Sequence, residues 1–129
     1  MALPRWSARL QAWWQRRHAA RQAEAARRER AVESSRELLR ACLRAEQLAE
    51  FDRAGWFTVS GGRYDYRINH GRTANVEVMA RDGRYLRRVC FYPVARGGRD
   101  LPVFDVMLAQ KLMLEADEAG ALAIAVQYP

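Results

Sequence analysis

The sequence predicts an α+β fold: a long N-terminal helix, then a four-stranded antiparallel meander covered on one face by a C-terminal helix. Three observations carry that expectation. Residues 101–125 form the longest apolar segment and repeat at helical spacing. Residues 56–92 divide into short alternating runs, closed by Gly61-Gly62, His70-Gly71 and Arg81-Asp82-Gly83. The chain before Ala54-Gly55 reads as helix throughout, with Ala, Arg, Glu and Gln dominating its middle.

Taken in order, the chain opens on Leu3, Trp6, Leu10, Trp13 and Trp14, a stripe at helical spacing flanked by Arg5, Arg9, Arg16 and Arg17. An amphipathic start of this kind suits a partner's groove or a second copy, bound through Trp6, Leu10, Trp13 and Trp14. Its composition also fits a helix lying in a membrane interface, with indoles at the headgroups and arginines reaching anionic lipid. From Ala19 to Arg30 almost nothing is available to bury, so this stretch reads as a solvated helical spacer. Arg16, Arg17, Arg21, Arg27 and Arg28 point to several sides of it, which also suits a phosphate backbone. The expected organisation is a basic arm over residues 1–30 and an α+β domain over 31–129. That domain comprises a helix at 31–54, a meander at 56–93 and helices at 101–126.

Val32, Leu39, Cys42, Leu43, Leu48 and Phe51 restore apolar periodicity where the helix rejoins the domain. Strands are expected at Trp56–Ser60, Tyr64–Asn69, Ala74–Met79 and Tyr85–Tyr92. Connections this short make neighbouring strands antiparallel. Tyr64, Tyr66, Ile68, Ala74, Val76, Val78, Val89 and Phe91 would face the core. Asp65, Arg67, Asn69, Asn75, Glu77 and Arg88 would face solvent, with Trp56, Cys90 and Tyr92 on the same parity. Arg67 and Arg88 beside aromatics on an open sheet extend the nucleic-acid reading of the arm.

The C-terminal helix is expected to open with Asp100 as N-cap and Pro102 in its first turn. Val106, Leu108, Ala109, Leu112, Met113 and Ala116 share a broad face, with Met107 and Leu114 opposite, so burial on two sides follows. Lys111 and Glu115 form an i, i+4 pair at the solvent edge. Asp105 near the positive helix end reads as structural. Gly120 would separate this helix from a short one at Ala121–Val126.

Charge is unevenly placed within the net +7. Residues 1–30 hold eight Arg against two Glu, and residues 102–129 hold one Lys against four acids. Of 22 basic residues only Lys111 is lysine, a bias that a GC-rich coding background produces without selection for guanidinium chemistry. Cys42 and Cys90 read as two buried thiols in a reducing compartment. No apolar run approaches membrane-spanning length and no signal peptide is recognisable, so a cytoplasmic location is expected.

Nucleophile–base pairs are hard to assemble. His18 lies in the arm and His70 in a turn, and no elbow motif surrounds Ser7, Ser34, Ser35 or Ser60. Gly61-Gly62-Arg63 and Gly97-Gly98-Arg99 lack the phosphate-loop pattern, and no His or Cys pair has ligand spacing. Glu115, Asp117 and Glu118 read as an acidic solvent face. No catalytic residue, cofactor, metal or small-molecule substrate is implied.

From Trp56 to Ala125 the series WFTVSGG, YDYRINHG, NVEV, CFYP and LPVFDVMLAQKLMLEADEAGALAIA resembles a group of small uncharacterised bacterial and phage proteins. The Asp105–Leu112 run is its most specific part. The resemblance implies a glycine-bounded meander followed by a helix, and no activity. The function expected is that of a non-catalytic protein-interaction module whose arm binds a partner or a second copy. Nucleic-acid association is the second reading and peripheral membrane binding the third.

Overall fold

The computed structural model describes residues 7–92 and 101–129. Ser7 caps a single helix, α1 (Ala8–Cys42), whose 35 residues run without interruption through the expected boundary at residue 30. At 1.5 Å per residue this helix is about 52 Å long. Only its C-terminal part enters the body, where Ser35 and Leu39 are buried.

The helix expected at 31–54 is instead two. Leu43 (φ −86°, ψ 141°) and Arg44 adopt extended conformations, and α2 (Ala45–Ala54) starts in a new direction. No Gly or Pro marks this break. It is held by Gln47, whose side-chain oxygen accepts the Arg44 N–H at 3.0 Å, and by the Arg40–Asp52 ion pair across the corner. Gly55, at φ 79°, closes α2 by donating its N–H to the Phe51 carbonyl at 2.8 Å.

Strands β1 (Phe57–Ser60), β2 (Asp65–Ile68), β3 (Val76–Met79) and β4 (Tyr85–Cys90) form the expected antiparallel meander. After it come α3 (Val103–Ala116), α4 (Glu118–Ile124) and an unforeseen fifth strand, β5 (Val126–Tyr128). The sheet order is β1-β2-β3-β4-β5, with Arg88, Val89 and Cys90 of β4 opposite Tyr128, Gln127 and Val126. A second helix reaching Val126 is therefore corrected. Asp117, not Gly120, makes the break: its carboxylate caps α4 by accepting the Gly120 N–H at 3.0 Å, and Ala125 turns extended.

Phe57, Val59, Tyr66, Ile68, Val76, Val78, Val89 and Phe91 share one core with Leu39, Leu43, Phe51, Met107, Leu108 and Leu114. Helix α3 packs against both α1 and strands β1 and β2. That double contact buries Val106, Met107, Gln110, Lys111 and Leu114, whereas Leu112 and Ala116 of the expected broad face stay exposed. Lys111, placed at the solvent edge from sequence, is only 5% exposed; its ammonium reaches the half-exposed Glu115 at 2.5 Å. Pro102 stands at the N-cap of α3, and Asp100 lies outside the described residues.

Two more expectations are overturned. Asn75 does not face solvent, because Ala74 takes a positive φ of 53° and the strand starts two residues later than expected, at Val76. Asn75 turns inward onto the fully buried Gln110, and the two amides bond each other at 2.7 and 3.0 Å. Cys42, on the outer side of the last turn of α1, is exposed, whereas Cys90 is buried.

Candidate functional site

Among the described residues the arm is the most exposed part of the fold. From Ser7 to Ser34 every residue faces solvent except the half-buried Ala12 and Ala26. At about 100° per residue, Leu10, Trp14, Arg17, Arg21, Arg28 and Val32 continue the side on which Leu39 enters the core. That side is apolar at the far end and cationic in the middle.

Three large apolar side chains stand open at the tip: Leu10 at 39%, Trp13 at 44% and Trp14 at 51% exposure. The indoles of Trp13 and Trp14 meet edge to face, with centroids 6.3 Å apart. Arg17 lies over the Trp13 ring at 4.8 Å. Trp6, expected to share this stripe, lies outside the described residues. Farther along, Glu24 takes both Arg27 (2.8 Å) and Arg28 (3.3 Å), and their charges hold its carboxyl below the usual range. Between the tip and that cluster, Arg9, Arg16, Arg17 and Arg21 are accompanied by no acid.

The outer face of the sheet carries a different arrangement. Thr58, Arg67, Glu77, Arg88 and Tyr128 align across all five strands. Glu77 lies between Arg67 (3.7 Å) and Arg88 (3.6 Å), so the two arginines of the nucleic-acid reading converge on one carboxylate. Arg67 also lies 4.2 Å over the Trp56 ring, with Arg53 at 5.6 Å from the same ring. The structure does not bring Arg67 and Arg88 together with the arginines of the arm tip, which sit near the distal end of α1.

Helix α4 supplies a third constellation, unread from sequence. Glu118 is not part of an acidic solvent face. Its carboxylate accepts the backbone N–H groups of Arg63 (2.9 Å) and Tyr64 (3.0 Å) in the β1–β2 turn, and the Tyr66 hydroxyl at 2.6 Å. Burial alone would raise the Glu118 pKa, but the Tyr66 hydroxyl and the N–H groups of Tyr64, Arg63 and Gly62 outweigh it and hold the carboxyl below its ordinary value. Burial, and then the neighbouring carboxylate, push the Tyr66 phenol upward. Arg81 fastens the other side of the turn, donating to the Gly61 and Gly62 carbonyls and pairing with Asp65 at 3.1 Å. Gly61 allows this close approach: a Cβ there would run into the Glu118 carboxylate and lie 2.8 Å from the Tyr64 carbonyl. The hint in the sequence is Gly61-Gly62, a turn with N–H groups to satisfy, but nothing local names their acceptor.

At the far edge, the buried Cys90 thiol lies 3.2 Å from the Tyr128 hydroxyl. That contact, followed by burial, pushes the Tyr128 phenol up to about 12. His18 hydrogen-bonds Gln22 on the arm, and His70 meets Phe104 edge to face at 5.4 Å. Among the described residues no group of three or more His, Cys, Asp or Glu is placed to hold a metal, and no helix is long and apolar enough to cross a membrane. No protein-family model, curated protein or solved structure matches the chain.

Proposed function

We propose that the protein is a non-catalytic interaction module: a body in which α3 covers one face of the sheet, carrying a helical arm that engages a partner. The observation that supports this reading is the length of α1 beyond the body. About 40 Å of helix is held out with Leu10, Trp13 and Trp14 open to solvent. Isolated helices are marginal without tertiary support, and exposed aromatic side chains clustered at one end suit a contact with another surface. Arg16, Arg17, Arg21, Arg27 and Arg28 give the same arm a cationic character and support a second reading, binding to a nucleic-acid backbone.

The test compares the full chain with one starting at Ala31. Each is measured by light-scattering mass and co-sedimentation at low and moderate salt, alone, with mixed-sequence oligonucleotide, and with anionic vesicles. Association that requires residues 1–30 under any of these conditions supports the reading. Identical behaviour of the two chains under all of them removes the arm from the function.

A further inference from the structure

We infer that the partner of the arm tip is an anionic lipid surface, met by Leu10, Trp13 and Trp14 as an apolar wedge and by Arg9, Arg16, Arg17 and Arg21 as its cationic collar. This inference rests on the reading of the arm as the binding element and names what it binds.

The argument begins from which surface each group needs. Leu10, Trp13 and Trp14 are roughly half exposed and cluster within two turns, so the partner must take apolar area at that point. Arg9, Arg16, Arg17 and Arg21 surround them with no acid before Glu24, so the same partner must be negatively charged. A bilayer interface containing anionic lipid offers both at once: indole and leucine side chains enter the headgroup–acyl boundary while arginines contact phosphates. Arg17 is already arranged for this. Its guanidinium lies 4.8 Å over the Trp13 ring centroid, and a side chain of this length can follow an indole into the interface while its charge stays at the headgroups.

The other occupants satisfy only half of the requirement. A second copy of α1 laid parallel along the first would bring Arg16, Arg17 and Arg21 of one helix towards those of the other, with no acid before Glu24 to offset the repulsion. An apolar protein groove would take Leu10 and the indoles and leave Arg9, Arg16, Arg17 and Arg21 without a counter-charge. A nucleic-acid duplex would match the arginines through its phosphates and leave Leu10 and both indoles in water, and a single strand could stack bases on the indoles but offers Leu10 no apolar medium.

The experiment uses the full chain and vesicles of phosphatidylcholine with and without phosphatidylglycerol, read by co-sedimentation and by tryptophan emission. Adding phosphatidylglycerol should strengthen partitioning by about tenfold or more, with a blue shift as Trp13 and Trp14 leave water. Trp13→Ala/Trp14→Ala should reduce vesicle binding by about tenfold or more with the circular dichroism of the body unchanged. Arg9→Gln/Arg16→Gln should remove most of the preference for phosphatidylglycerol while leaving weak binding to both vesicle types. Absence of vesicle binding by the wild type overturns the inference, as does binding to anionic vesicles that the double tryptophan variant retains. If either result comes with arm-dependent self-association or oligonucleotide binding, the lipid assignment fails while the arm remains the binding element. If the double tryptophan and double arginine variants match the wild type in vesicle binding, mass and oligonucleotide binding, the reading of the arm fails as well.

Discussion

Glu118 shows how much one side chain can hold. It joins the first residue of α4 to a turn more than fifty positions earlier through two N–H groups and a phenol. Replacing it with Gln removes the charge from three hydrogen bonds and should cost about 1–3 kcal/mol at neutral pH, measured by urea unfolding. The pH dependence has a defined sign. A carboxyl depressed in the folded state contributes its full stabilisation above the unfolded glutamate value of about 4.3. The contribution is lost as pH falls below that value and through the lower folded one. The gap between wild type and Glu118→Gln should therefore close on acidification, and a constant gap down to pH 3 would contradict the assignment of the charge. Asn75 and Gln110 make a complementary case, since each amide satisfies the other inside the core. Asn75→Ala leaves the Gln110 amide oxygen without its donor, while the amide nitrogen keeps the Phe91 carbonyl at 3.3 Å, and should destabilise by about 1–3 kcal/mol; Asn75→Ala combined with Gln110→Leu should recover part of that loss. Neither pairing was legible in the sequence. The partner of each residue lies on another element, and local pattern placed Asn75 and Glu118 in solvent.

At the scale of elements, most strands and helices follow from local pattern, and the exceptions have physical reasons. Alternation of Tyr66 and Ile68 with Asp65 and Arg67 is enough to specify β2, and Val76 and Val78 do the same for β3. Strand β5 is three residues long, too short for a period, and exists because β4 offers an edge. The corner at Leu43-Arg44 carries no breaker residue; burial of Leu43 and the Gln47 contact decide it. The arm tip was legible as a stripe because exposure leaves a helix with only its own sequence to display. Among the described residues none of 8–30 in α1 is buried, so their amides should exchange with solvent orders of magnitude faster than those around Ser35 and Leu39, read by hydrogen–deuterium exchange. At the β1 edge, α2 meets the outward backbone of Thr58 with two side chains: Glu50 accepts its N–H at 3.2 Å and Gln47 donates to its carbonyl at 2.9 Å. Glu50→Ala/Gln47→Ala would leave that edge unpaired. The expected result is faster aggregation at equal concentration, measured by light scattering during mild heating.

The molecule as a whole has two regimes of stability. A body with one continuous core, to which Leu39 of α1 belongs, is joined to the solvent-exposed remainder of that helix. Unfolding should not be two-state across probes. Far-UV circular dichroism, dominated by α1, should begin to fall at lower denaturant than the near-UV signal of the buried Tyr66, and coincident curves would show the arm packed onto something in solution. The final segment adds a temporal order to this division. Residues 117–128 are stitched at both ends of the sheet, by Glu118 to the β1–β2 turn and by β5 to β4. During synthesis, when segments emerge at about 5–20 residues per second, the meander leaves the ribosome without its latch, its fifth strand or α3, and stays open until Tyr128 is free. The arm needs none of these contacts. If the arm is the binding element, contact with its surface can supply the support that an isolated helix lacks before the body it holds has closed.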